Sequence, residues 1–292
     1  MKNSNYHTPV LLKEAIDAIR VKKGLKYIDG TLGGGGHTGL ILERGGQVLG
    51  IDQDDDAIKE ASDRFEGRKD LIIVKGNFKD IKEIAEQNGF LNCSGILIDL
   101  GTSAHQLQDF SRGFSFKDHK KIDMRMDKSK KLSAYEILNN WSKNDLIEIL
   151  ERYGEEGEAR EIVERIIKER KRKEIFYADE FAKMVSNVKK KKEMGIHPAT
   201  KVFQAIRIAV NDEINALKEV LNAGLDILGG HGRFAIISFH SIEDRVIKQA
   251  FKEFERQGRG IILTKKSIAA SFEEIRKNKK SRSAKLRVFE KN

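Results

Sequence analysis

The stretch Tyr27-Ile28-Asp29-Gly30-Thr31-Leu32-Gly33-Gly34-Gly35-Gly36-His37-Thr38-Gly39 decides the fold. A short apolar run ends in a carboxylate, and consecutive glycines then lead into an amphipathic segment, the order of a strand, a tight turn and a helix start. Glycine admits positive φ and close approach of a ligand to the backbone. Gly33, Gly34, Gly35 and Gly36 can therefore aim bare N–H groups at an anion. The turn reads as a nucleotide-type cradle.

The next element narrows the ligand. Gln47-Val48-Leu49-Gly50-Ile51 reads as a second buried strand ending at Asp52, about 20 residues past the start of the turn, where dinucleotide folds place a ribose-binding acid. A nicotinamide cofactor satisfies that spacing too. Asp29 separates the two, because a carboxylate at the end of the first strand sits poorly beside a pyrophosphate. It suits an ammonium and a sulfonium, which points to S-adenosyl-L-methionine. The turn amides would then face the methionine carboxylate, and Asp52 would accept from both ribose hydroxyls.

At 292 residues the chain can bury a substantial core, as one large domain carrying a smaller insertion. A net charge of +10, with 34% of residues charged, favours a polyanionic partner. The same Lys- and Glu-rich surface also arises from genome composition or growth temperature. The single cysteine, Cys93, excludes an intramolecular disulfide and a cysteine-built zinc site. It precedes an apolar strand and reads as inert. The histidines are scattered without a recurring ligand spacing, so no metal site is expected. The segment from Met1 to His7 lacks an apolar signal core, and nowhere do eighteen apolar residues run together. A soluble, cytoplasmic protein without a membrane segment is expected.

Along the chain, Val10 to Ile19 carries a helical apolar stripe with Pro9 at its entrance. Asp54 to Phe65 reads as a helix with Asp54, Asp55 and Asp56 at its positive end. Leu71 to Val74 is a third strand, followed by Gly76-Asn77-Phe78. Two roles fit Phe78: a cover for an adenine face, or the staple of the next helix. The fourth strand, Gly95 to Ile98, ends at Asp99. Four strands alternating with helices, each delivering a polar residue at its carboxyl end, predict an α/β fold with a doubly wound parallel sheet. Asp29, Asp52, Phe78 and Asp99 would line one edge.

From about Asp109 to His197 the strand pattern gives way to amphipathic helices, with capping-box signals at Ser133/Glu136 and Ser142/Asp145. The expected organisation is a core first part over 1–108, an inserted helical substrate-recognition domain over 109–197, and a core second part over 198–292. His197-Pro198-Ala199-Thr200 opens one long helix reaching Leu221. Arg233 to Phe239 is a fifth strand delivering His240-Ser241-Ile242-Glu243-Asp244, and Gly260 to Thr264 and Lys285 to Phe289 complete the sheet. The Lys- and Arg-rich segment from Lys265 to Arg282 between them is expected to be flexible and to suit phosphate.

Several blocks resemble one family. They are Asn5-Tyr6-His7-Thr8-Pro9-Val10-Leu11-Leu12, Tyr27 to Thr31 with Gly35-Gly36-His37, Asp99-Leu100-Gly101 with Gln106-Leu107, and Arg112-Gly113-Phe114-Ser115-Phe116. Asp123-Met124-Arg125-Met126-Asp127, His197 to Thr200 with Phe203-Gln204-Ala205, Arg207 to Asn211, Ser238 to Asp244 and Ser283-Ala284-Lys285-Leu286-Arg287 belong with them. Together they are similar, nearly end to end, to the bacterial 16S ribosomal RNA cytosine N4-methyltransferases, the RsmH or MraW family. The resemblance implies a class I S-adenosylmethionine-dependent methyltransferase, a Rossmann-like sheet with a helical insertion. The implied substrate is a cytidine in the decoding region of 16S ribosomal RNA, within the small ribosomal subunit. Carried over by position, the cofactor contacts are Gly35, Gly36, His37, Asp52, Phe78, Asp99 and Gln106; His37 and Gln106 rest on the resemblance alone. His105 stands where the family pattern suggests proline.

Methyl transfer to an exocyclic amine needs positioning and a group that accepts an N–H bond. Base methyltransferases of this kind often carry an Asp/Asn/Ser-Pro-Pro-aromatic motif after the fourth strand, where this chain has Asp99-Leu100-Gly101-Thr102. Asp99 is expected to shape both cofactor and acceptor, with His240, Ser241 and Asp244 gripping the base. A helix-capping role fits His240 equally well. Neither the oligomeric state, monomer or homodimer, nor the RNA contacts of Arg112, Arg125 and Arg207 can be read from the residues.

Overall fold

The computed structural model describes residues 9–102, 112–115, 119–189 and 197–292. It divides into two compact units, Met1–Ser103 with Ile214–Asn292, and Ala104–Glu213. The first unit is built on one sheet. Its strands are β1 (Lys26–Asp29), β2 (Gln47–Asp52), β3 (Leu71–Lys75), β4 (Cys93–Asp99), β5 (Leu228–Ser238), β6 (Gly260–Ile262), β7 (Ile268–Ala269) and β8 (Lys285–Lys291). They stand in the order β3-β2-β1-β4-β5-β8-β6, with β7 on β8.

Strands β1 to β5 pair in parallel, while β8 runs antiparallel to both β5 and β6. All five carboxyl ends therefore share one edge, together with the amino end of β8. The chain order reverses between β1 and β4, the switch point at which open α/β sheets form their ligand crevice. Apolar residues on both faces explain why the strands are buried. Ile28, Leu49, Ile96, Ile98, Phe234 and Ile236 pack into one cluster, and Tyr27, Val48, Leu97, Ala235 and Ile237 into the other. That alternation is the period-2 geometry of a sheet covered on both sides. Doubly wound and class I in its strand order, the fold agrees with the sequence reading.

The second unit is helical, with Ala134–Asn140, Lys143–Gly154, Ala159–Arg170, Ala178–Val188 and Thr200–Asn211 around a core that includes Ile137, Leu150, Ile162, Phe181 and Phe203. Ser133 and Ser142 cap their helices by accepting the Glu136 and Asp145 amides. Asn211 clamps the Met124–Met126 segment, accepting from the Met126 amide at 2.9 Å and donating to the Met124 carbonyl at 2.8 Å.

Three details differ from the sequence reading. The helix expected to run unbroken to Leu221 stops at Asp212, whose φ of 54° is left-handed, and restarts as Glu213–Ile227. The helix Thr200–Asn211 packs in the helical core, so that unit extends past residue 197 to Glu213. Apolar periodicity continues across the break, which hid it. The basic segment expected to be flexible forms a helix, Phe272–Lys277, and a 3-10 turn, Lys279–Ser283, anchored by the fully buried Ser281. Among the described residues no helix is long and apolar enough to cross a membrane.

Candidate active site

The site is assembled at the carboxyl edge around the glycine turn. Gly35 takes φ 70° as the residue before the helix Gly36–Glu43, and a Cβ there would lie 2.3 Å from the Phe65 ring. Only glycine meets both demands. The turn closes through Gly35 N–H donating to the Leu32 carbonyl at 2.8 Å, and the Gly34 carbonyl accepts from Arg64 at 2.6 Å. The Gly36 and His37 amides that open the following helix have no intrahelical acceptor and can serve as anion donors, while the Thr38 amide turns to Asp29.

Three carboxyl groups converge beside that turn. Asp29, 1% exposed, accepts from the Thr38 hydroxyl at 2.7 Å and the Thr31 amide at 3.3 Å. Asp52 accepts from the Gly33 amide at 2.8 Å and the Asp54 amide at 2.9 Å, which ties the end of β2 to the turn. Thr31 also accepts, through its hydroxyl, from the Asp99 amide at 2.6 Å, which ties in the end of β4. Burial pushes Asp29 and Asp52 up to about 6 against these stabilising bonds. Burial first, and then the charges of Asp29 and Glu243, hold Asp99 well above the usual carboxylate range. Asp99 Oδ1 is buried with no hydrogen-bond partner among the described residues.

Buried acids that repel one another favour a cationic ligand, whose arrival relieves the desolvation cost of each. His37 does not supply that charge. Burial lowers it to about 4, and its Nε2 lies 3.1 Å from the Val10 carbonyl. A carbonyl only accepts, so the neutral ring carries its proton on Nε2 and turns a bare Nδ1 toward Asp99 Oδ2, 3.9 Å away. Phe78 opens a 3-10 turn capped by Asn77 and stands beside the end of β1, its Cβ 3.4 Å from where a Cβ on Gly30 would lie. The sequence reading thus brings Asp29, the turn from Gly34 to His37, Asp52, Phe78 and Asp99 to one edge. Gln106 lies outside the described residues.

The β5 side differs in character. His240 is the N-cap of the helix Ser241–Arg256, accepting from the Glu243 amide while Glu243 accepts from the His240 amide, a reciprocal capping box. The capping alternative is thus the one observed for His240. Ser241 is the first residue of that helix. Asp244 is held by Arg287 at 2.6 Å and Lys285 at 3.0 Å, and these cations outweigh its burial to lower its pKa. It fastens this helix to β8, and its oxygens are occupied by that task. Cys93 is buried, and desolvation pushes its thiol up to about 12, too high for a nucleophile.

Residue-level reading gives Thr31, Thr38 and Glu243 no role of their own, and places Lys280 only in a phosphate-binding segment. Glu243 carried a usable signal, since it stands three residues after a cap. Thr31 and Thr38 have none, because nothing in a local pattern marks a hydroxyl that holds Asp29 or one that receives the Asp99 amide from another strand. Lys280 was one of many cations in a basic run.

A family model described as the MraW methylase family matches residues 4–292. Three relatives carry the name ribosomal RNA small subunit methyltransferase H. That of Persephonella marina is 44% identical over 97% of this chain and 98% of its own. That of Coprothermobacter proteolyticus is 41% identical over 100% and 98%. That of Brevibacillus brevis is 39% identical over 99% and 98%. A family match of this extent gives the cofactor, S-adenosyl-L-methionine, and the chain belongs to the MraW methylase family of methyltransferases.

Proposed function

We propose that this protein methylates small-subunit ribosomal RNA, at the exocyclic N4 of a cytidine in the decoding region of 16S RNA, in the cytoplasm. The observation that carries the reading is Asp99 Oδ1, a buried acceptor with no hydrogen-bond partner among the described residues, at the carboxyl end of β4. When bound, S-adenosylmethionine supplies a methyl group on a cationic sulfur. Asp52 would hold its ribose, Phe78 its adenine, and the amides from Gly34 to His37 its carboxylate. Asp29 has both oxygens engaged by threonines and acts on the cationic end through its charge.

The acceptor amine is a poor nucleophile because its lone pair is delocalised into the ring. A carboxylate that accepts one N–H bond turns that lone pair out of conjugation, then takes the proton as the nitrogen becomes positive. Asp99 is assigned this role. Its peptide N–H is fixed on Thr31, so the side chain is aimed by strand β4. His240 and Ser241 border the acceptor side as the start of a capped helix, and Asp244 supports them through Lys285 and Arg287. The helical unit from Ala104 to Glu213 supplies the RNA recognition in this reading, supported by the high Lys and Arg content.

Labelled cofactor should be offered with isolated 16S RNA, a partial particle and the assembled small subunit, followed by nuclease digestion and nucleoside mass analysis. N4-methylcytidine at one decoding-region position is the expected product. A methyl group on another base, or transfer to none of the three substrates, would overturn the assignment.

A further inference from the structure

Lys280 belongs to the site rather than to the basic surface. Strand β8 runs opposite to β5, pairing Lys285 with Ser238 and Leu286 with Ile237, and Ile237 pairs with Asp99 on its other side. The segment that leads into β8 therefore lies at the edge where Asp99 ends β4. Its geometry is fixed: Asn278 accepts the Lys280 amide at 3.2 Å, Ser281 donates to the Asn278 carbonyl at 2.8 Å, and Ser281 is fully buried. Lys279 and Arg282 on the same turn face solvent. Lys280 Nζ, in contrast, is buried with no hydrogen-bond partner among the described residues. Lys280 and Asp99 each feel the other's charge.

Among the described residues, one edge thus holds an unsatisfied acceptor, Asp99 Oδ1, and an unsatisfied donor, Lys280 Nζ, both withdrawn from water. Leaving either unpaired is costly, so the pair awaits a ligand edge with a donor beside an acceptor. Resting on the function proposed above, we propose that Lys280 is a specificity residue that donates to N3 of the target cytosine while Asp99 accepts from its N4 amine. The Watson–Crick edge of cytosine offers N4–H and N3 side by side, which matches both groups at once. Uracil presents O4 and N3–H there and opposes both, so the pair rejects it. The donor on N3 also holds the amine in register with the carboxylate that activates it.

The test is a chemical cycle on an RNA substrate that the wild-type protein methylates, carrying either cytidine or 3-deazacytidine at the target. Lys280→Met and Lys280→Arg are compared with wild type for kcat, for KM of RNA and for cofactor affinity by calorimetry. Removing the N3 acceptor should lower wild-type kcat/KM by about a hundredfold, the scale of one buried charged hydrogen bond. Lys280→Met should lose a similar factor on cytidine and show no further loss on 3-deazacytidine, whereas Lys280→Arg should recover much of the rate. Cofactor affinity should stay within about threefold in both. Independent, multiplying losses would overturn the assignment to N3, and so would a collapse of cofactor binding in Lys280→Met. Absence of wild-type transfer to any cytidine would instead sink the function on which the inference rests.

Discussion

Replacing Asp29 by Asn should stabilise the cofactor-free protein at neutral pH while weakening cofactor binding. The Asp29 carboxyl is raised from 3.8 to about 6 by burial. Holding it ionised in the fold therefore costs ~3 kcal/mol near pH 7.5, at 1.36 kcal/mol per unit. Because the folded value lies above the unfolded one, the folded state binds the extra proton. Stability from this group is full below the unfolded value of 3.8 and is lost as the pH rises through about 6. Asparagine carries no such loss, but its amide group must face a donor, Thr31 N–H or the Thr38 hydroxyl, at a cost of ~1 kcal/mol. The net gain is ~2 kcal/mol near pH 7.5, and it shrinks to about zero near pH 4.5, where the wild-type penalty has fallen to ~1 kcal/mol. Denaturant unfolding of cofactor-free protein at the two pH values reads this directly. With saturating S-adenosylmethionine at neutral pH the order should reverse, because the cation gains from the charge that asparagine lacks. An Asn variant less stable than wild type near pH 7.5, or a difference that does not move with pH, would refute the reasoning.

Gly35→Ala should cost at least ~2 kcal/mol of stability through its left-handed φ and the contact with Phe65, and should weaken cofactor binding measured by calorimetry. Arg287→Met leaves the half-buried Asp244 with Lys285 alone, and a destabilisation of ~2 kcal/mol is expected in denaturant unfolding. Asn211→Ala strips the clamp from Met124 and Met126, so hydrogen exchange in the helical unit should quicken in step with a loss of ~2 kcal/mol.

Parallel strands buried on both faces must be written as short apolar runs, and a charged residue that closes such a run has few reasons to be there except the ligand edge. That is why the placement of Asp29, Asp52 and Asp99 at the ends of parallel strands was legible, and with it the sheet. What escaped was information held in no local pattern. The stop at Asp212 hid under an apolar period that continues past it. Lys280 is one of five basic residues from Arg276 to Arg282, and only the reversal of β8 sets it apart from the rest. The pairing of Asp244 with Arg287 spans 43 residues and two elements, so the carboxylate looked free for chemistry.

Charge is divided in this molecule according to what each ligand carries. The whole chain is basic, at +10, yet one edge of its sheet gathers acids whose pKa burial raises, Asp29 and Asp52 to about 6. A uniformly basic site would attract RNA phosphate into the space meant for a cationic methyl donor. A uniformly acidic surface would repel RNA altogether. Buried carboxyls ease the conflict, since they are withdrawn from the RNA-facing surface, and near pH 6 Asp29 and Asp52 carry part of their charge and gain the rest when a cation arrives. Proton release on cofactor binding follows: calorimetry near pH 6 in buffers of different ionisation enthalpy should detect protons leaving the complex, and an unchanged heat would place the acids outside the cofactor's reach.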